Sequence, residues 1–165
     1  MPLRRDVIRA GALLGVSGGV LRAIGSFAPA LIASDSARSG LYLVIDVCLT
    51  AGLLSIYIRL RSRIRALGSV GFSLALFGLI ATRTSAALTH VDLYPIFAAM
   101  VAFGILVLAL SSWRAARLDA WIPLAFALSL VLGSVGTFVA GAGSLFIASG
   151  ILFGGAFAAM AITAY

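Results

Sequence analysis

Lysine and glutamate are absent from this 165-residue chain: its 12 basic residues are all arginine and its five acidic residues all aspartate. Without lysine there is no Schiff-base chemistry of the retinal or pyridoxal kind. Without glutamate there is no His-Glu motif or paired-glutamate centre, and no glycine-rich phosphate loop occurs either. Cysteine appears once, as Cys48 inside an apolar segment. No intrachain disulfide or CxxC pair is available, and Cys48 reads as a small packed hydrophobe. Histidine also appears once, as His90 in a THVD stretch. A second histidine for bis-histidine haem ligation is missing, and His90 with Asp92 offers two loop ligands, too few for a metal centre. The expectation is a non-enzymatic protein with no catalytic residues, no cofactor and no metal site.

Charge of either sign is scarce. Only 10% of residues are charged and 62% are hydrophobic, a balance with which a soluble domain of this length cannot cover its apolar surface. The chain reads as an all-α polytopic membrane protein with lipid as its solvent. The formal charge of +7 does not point to nucleic acid, because the arginines fall between apolar segments. They serve as topology signals and as contacts to anionic lipid.

Six apolar segments near the roughly 20 residues of a spanning helix occur at 8–33, 40–58, 67–88, 93–112, 120–140 and 144–163. Short polar connections join them, so residues 1–165 form a single transmembrane domain, a compact bundle of six helices. Pro29 frees the carbonyl of Gly25 and predicts a kink in the first helix. Pro95 and Pro123 fall in first turns, where the missing N–H does no damage. The paired arginines of RRDVIRAG imitate a twin-arginine export signal, but Arg22 interrupts the apolar run that follows. The segment is therefore expected to be the first membrane helix.

If the helices alternate, Arg4, Arg5, Arg9, Arg59, Arg61, Arg63, Arg65, Arg114 and Arg117 share one side. That side should be cytoplasmic, with both termini inside, in a bacterial cytoplasmic (inner) membrane. Tyr42 and Tyr94 mark the outer interface; Tyr57, Trp113, Trp121 and Tyr165 mark the inner one. Within RLRSRIR, the residues Arg59, Arg61, Arg63 and Arg65 are expected to contact anionic lipid at about 1 kcal/mol per charge.

Arg22 lies within a membrane segment. Gly11, Gly15 and Gly19 recur every four residues and form a small-residue stripe for close helix approach. Arg22, three residues on, shares that face and should point away from lipid. In the second helix Tyr42, Asp46, Thr50 and Tyr57 form a polar stripe, and the third helix contributes Arg83. Counting about 1.5 Å per residue across a core of about 30 Å puts Arg22 roughly 18–20 Å from the inner boundary. Asp46 and Arg83 then fall roughly 9 Å and 6–8 Å below the outer one. All three lie in the outer half of the bilayer. An Arg22–Asp46–Arg83 cluster with Tyr42 and Thr50 beside it is thus a candidate buried ion pair or ligand site. Ser129, Gly133, Thr137 and Gly141 form a further small-residue stripe, as do Gly150, Gly154 and Ala158. The fourth helix has almost no polar side chain and is expected to face lipid or a partner.

Two functions fit these features. The first is an accessory or assembly subunit packed beside larger membrane partners or beside its own copies. The alternative is a small solute or anion transporter, or a lipid-ligand-binding bundle, working through the Arg–Asp cluster. The alternative requires a cavity at Arg22 and Asp46; a closed interior there would exclude it.

Overall fold

In a computed structural model of the protein, residues 2–88, 93–115, 117–139 and 142–163 are described, with side chains from Asp6 onward apart from those of residues 83 and 85–88. All regular structure among them is helical: α1 Pro2–Gly25, α2 Ala28–Leu31, α3 Asp35–Leu60, α4 Ala66–Leu88, α5 Tyr94–Arg114, α6 Trp121–Phe138 and α7 Gly143–Thr163. Five of the long helices (α1, α3, α5, α6 and α7) are long and apolar enough to cross a membrane. In α4, which has 23 residues, the apolar stretch runs Ala66–Thr82. The all-helical architecture read from hydropathy is therefore present, with five to six helices long and apolar enough to span a membrane.

The largest departure from the expected segments is at 8–33. The chain does not kink at Pro29; α1 ends at Gly25, and Ser26 and Phe27 turn by i→i−3 bonds to Ala23 and Ile24 (3.3 and 3.0 Å). Pro29 then sits in the first turn of the short α2, where its missing N–H leaves no bond unmade. The Gly25 carbonyl, which a proline at 29 leaves without its helical donor, accepts instead from the Tyr42 hydroxyl at 3.2 Å. The second helix starts at Asp35 instead of residue 40. Ser34 caps it, accepting from the Ala37 N–H at 3.4 Å, and Asp35 in the first turn complements the helix dipole. Asp35 also pairs with Arg38.

Neighbouring helices run antiparallel. Gly11, Gly15 and Gly18 of α1 face Ser55, Gly52 and Cys48 of α3, while Gly19 faces Gly154 and Ala158 of α7. Along a helix of 3.6 residues per turn, an i, i+4 row drifts about 40° per step. The 11–15–19 stripe accordingly starts on α3, reaches the three-helix junction at Gly15, and ends on α7. Backbones meet there: a Cβ at Gly52 would lie 2.4 Å from the Gly15 Cα, and one at Gly154 only 2.3 Å from the Gly19 carbonyl oxygen. A second close seam joins α4 to α5, where a Cβ on Gly104 would lie 2.5 Å from the Ala75 nitrogen. A third joins α6 to α7. By contrast, α3 meets α4 and α5 meets α6 more loosely. The order α1–α3–α4–α5–α6–α7 closes into a ring.

The arginine-rich end of this ring is filled. Leu53, Ile56, Leu108, Ile122, Phe126, Phe157 and Met160 are essentially inaccessible. Two connection residues, Ile64 and Leu118, fold inward over them. Tyr57 belongs to this packing: it stacks on Phe72 at 3.9 Å and donates to the Ser69 hydroxyl at 3.2 Å. Trp113 and Trp121 are exposed at the same end; Tyr165 lies outside the described residues.

Candidate functional site

The opposite end of the ring is open inside. A cavity of about 1040 Å³ occupies it, lined by residues from all six long helices. Arg22 of α1 and Tyr42 and Asp46 of α3 are on its wall, together with Thr82 of α4, Tyr94 of α5 and the reciprocally bonded Ser129 and Ser149 of α6 and α7. The remaining lining is mainly aliphatic and aromatic, as in small-molecule sites where a few polar groups fix orientation.

Arg22 reaches this space for a reason visible in α1. It lies seven residues beyond Gly15, two turns along nearly the same line of the helix. At Gly15 that line is closed by Gly52, Phe157 and Ala161; at Arg22 it opens into the cavity. The residue is half-buried. Its backbone carbonyl accepts from the Ser26 hydroxyl at 3.1 Å, and the buried Ser26 is pressed against Gly150 of α7. The end of α1 is thereby fixed against α7, and the guanidinium projects from a braced turn.

No ion pair joins Arg22 to Asp46, and among the described residues none gives the Arg22 guanidinium a hydrogen bond or an ion pair. Asp46 is half-buried and makes a polar or electrostatic interaction of its own. The structure thus brings Arg22, Asp46 and Tyr42 to one cavity without fusing them into a salt bridge. The Arg83 side chain lies outside the described residues, as do His90 and Asp92 in the connection before α5.

Thr50 is half-buried one turn below Asp46 and is not on the cavity wall. Two steps of four residues carry it about 80° away from the direction of Tyr42, and Leu49 and Leu53 hold the inward positions instead. The fourth expected segment is α5. Ile96 and Phe103 are exposed on it, while Val101, Ile105, Leu108 and Ala109 are buried, and residues from Tyr94 to Phe103 form a long part of the cavity wall. Its lack of polar side chains was a poor guide, since in a membrane van der Waals packing against small residues buries a helix as readily as polarity does.

Ser129 belongs to the small-residue stripe of α6 and is also the centre of a polar clasp. Its hydroxyl donates to the Ser149 carbonyl at 2.9 Å, and the Ser149 hydroxyl returns a bond to the Ser129 carbonyl at 2.7 Å. Gly133 and Gly136 beside it pack on Ser149 and Phe146; Thr137 is exposed and bonds its own helix at Gly133. Gly141 is outside the described residues. At the basic end Arg59, Arg61, Arg63 and Arg65 are exposed, clear of the cavity by the length of the packed core.

Among the described residues no group of three or more histidine, cysteine or acidic side chains is placed to hold a metal. Cys48 is buried in the α1–α3 seam. Comparison with known proteins yields no matching family model, no matching curated protein and no matching solved structure.

Proposed function

We propose that this protein is a non-catalytic integral membrane protein that binds an anionic ligand in the cavity at the end remote from its arginine-rich loops. The ligand's charged group meets the Arg22 guanidinium, and Tyr42 and Asp46 shape the surroundings. The observation that carries this reading is an arginine within an apolar helix, facing a cavity, with no counter-ion among the described residues. Such a charge is unfavourable by roughly 2.5–3.5 kcal/mol at a helix centre, and an anion with matched geometry offsets that through bidentate bonds. A purely structural accessory subunit, the other function expected from the sequence, has no use for a cavity around an unpaired charge. The reading keeps the basic end cytoplasmic, by the arginine bias, with both termini inside in a bacterial inner membrane and the four loop arginines on anionic lipid.

Thermal unfolding in a neutral detergent, titrated with dodecyl phosphate, tests the proposal. Wild-type protein should be stabilised as the probe binds the folded state, and Arg22→Gln should lose that response. An identical response in both chains would refute the site.

A further inference from the structure

The cavity is not closed at its side. On α5 its lining runs through consecutive positions from Ala98 to Phe103, which at about 100° per residue covers more than one face of the helix. On α6 it extends from the buried Ser129 round to the exposed Ser134 and Phe138. The same space therefore touches the interior and the outer, lipid-facing surface. Toward the basic end α5 and α6 are held together by core residues including Leu108 and Ile122. From Phe103 and Ser129 onward the cavity lies between them, along the looser of the contacts that α6 makes.

We infer that the ligand of the site proposed above is an anionic lipid supplied by the bilayer, which enters sideways between α5 and α6. The inference rests on that reading and adds the ligand's class and route. Charge complementarity fixes one end: the phosphate of the headgroup meets Arg22. Apolar complementarity fixes the other: the acyl portion lies along Ala99, Phe103, Leu130 and Phe138 and runs out through the gap. A water-soluble anion would leave that long apolar wall unfilled, and a neutral lipid would leave Arg22 without a counter-charge.

The test uses the full chain reconstituted in phosphatidylcholine vesicles doped with phosphatidylglycerol, extracted in neutral detergent, with retained lipid quantified by mass spectrometry. The exposed arginines of the basic end hold some phosphatidylglycerol in every variant, so the readout is the difference between chains. Wild-type protein should retain about tenfold more phosphatidylglycerol relative to phosphatidylcholine than Arg22→Gln, the worth of one charge-assisted contact. Arg22→Lys should keep most of the enrichment. Ser134→Trp, an exposed position at the rim of the gap, should lower retention while its unfolding midpoint stays that of wild type. Glycerol 3-phosphate, the headgroup without its chains, should not displace the bound lipid. Displacement by glycerol 3-phosphate, or unchanged retention in Ser134→Trp, overturns the lipid and its lateral route while the anion site stands. Equal retention in wild type and Arg22→Gln overturns the inference, and the dodecyl phosphate titration then decides whether the anion site falls with it.

Discussion

The two ends of this bundle are built from the same residue types and do opposite things. At the arginine-rich end, glycines bring backbones together and large side chains fill what remains, down to two loop residues turned inward. At the other end the same helices separate around about 1040 Å³ of space, with a charge on its wall. The difference is one of pairing. Tight seams join α1 to α3 and α7, α6 to α7, and α4 to α5. The α4–α5 hairpin meets the other four long helices through two looser contacts, one of them the Tyr57–Phe72 stack near the basic end. Helices that share no close seam are free to diverge, and they diverge where the ring holds Arg22. In lipid, where apolar burial gives no advantage over the bilayer, close packing has to be built by fit; at the open end that fit holds within the paired helices, as where Gly136 meets Phe146 and Gly150 meets Ser26, and not across the ring.

The comparison is broken most severely by filling a seam. Gly52→Val places a branched side chain where even a Cβ meets the Gly15 Cα at 2.4 Å. Overpacking typically costs about 1–3 kcal/mol, and with backbone as the obstacle the upper end or loss of fold is expected, read as a lowered unfolding midpoint or loss of the monodisperse species. Gly143→Val, at a glycine with open space around it, should leave that midpoint nearly unchanged. Next comes emptying. Phe157→Ala removes a ring that is 0% exposed in the packed half and should cost about 3 kcal/mol. Phe103→Ala, at the edge of the cavity and 50% exposed, should cost well under 1 kcal/mol. Equal losses would mean that the two halves are equally packed.

How far these features were legible in the sequence differs by feature. The all-helical architecture of long apolar segments followed from hydropathy, because lipid imposes the length of each helix. The glycine stripe of α1 was legible as packing, and Arg22 as facing inward. The start of α3 was not legible: the polar stretch SDSARS reads as a loop, whereas Ser34 caps the helix and Asp35 opens it. What was not legible was the partner of each face. Thr50 missed the cavity because a row of every fourth residue drifts round the helix, and composition says nothing about which neighbour it drifts toward. Arg22 and Asp46 line one cavity, yet counting residues along a helix leaves lateral separation open, and no ion pair joins them. That α5 lines a cavity was hidden altogether, since an apolar helix looks the same whether lipid or a hollow lies against it.

Smaller effects sharpen the boundary between the halves. Ser129→Ala removes one arm of the α6–α7 clasp at the cavity wall and should lower stability by about 0.6–1 kcal/mol in chemical denaturation, the worth of an interhelical hydrogen bond in a membrane. Smallest is Arg61→Gln at the basic end. It should leave the unfolding midpoint unchanged and weaken binding to anionic vesicles by about 1 kcal/mol.

The central claim is that Arg22 faces an accessible cavity while the basic half is sealed. Single cysteines at 22 and 108, introduced in a Cys48→Ala background, test it with a charged, membrane-impermeant thiol reagent. Arg22→Cys should label readily from the side opposite the arginine-rich loops, and Leu108→Cys should stay unlabelled from either side until the protein is denatured. Protection at both positions, or labelling of Leu108→Cys at the rate of Arg22→Cys, would contradict the account.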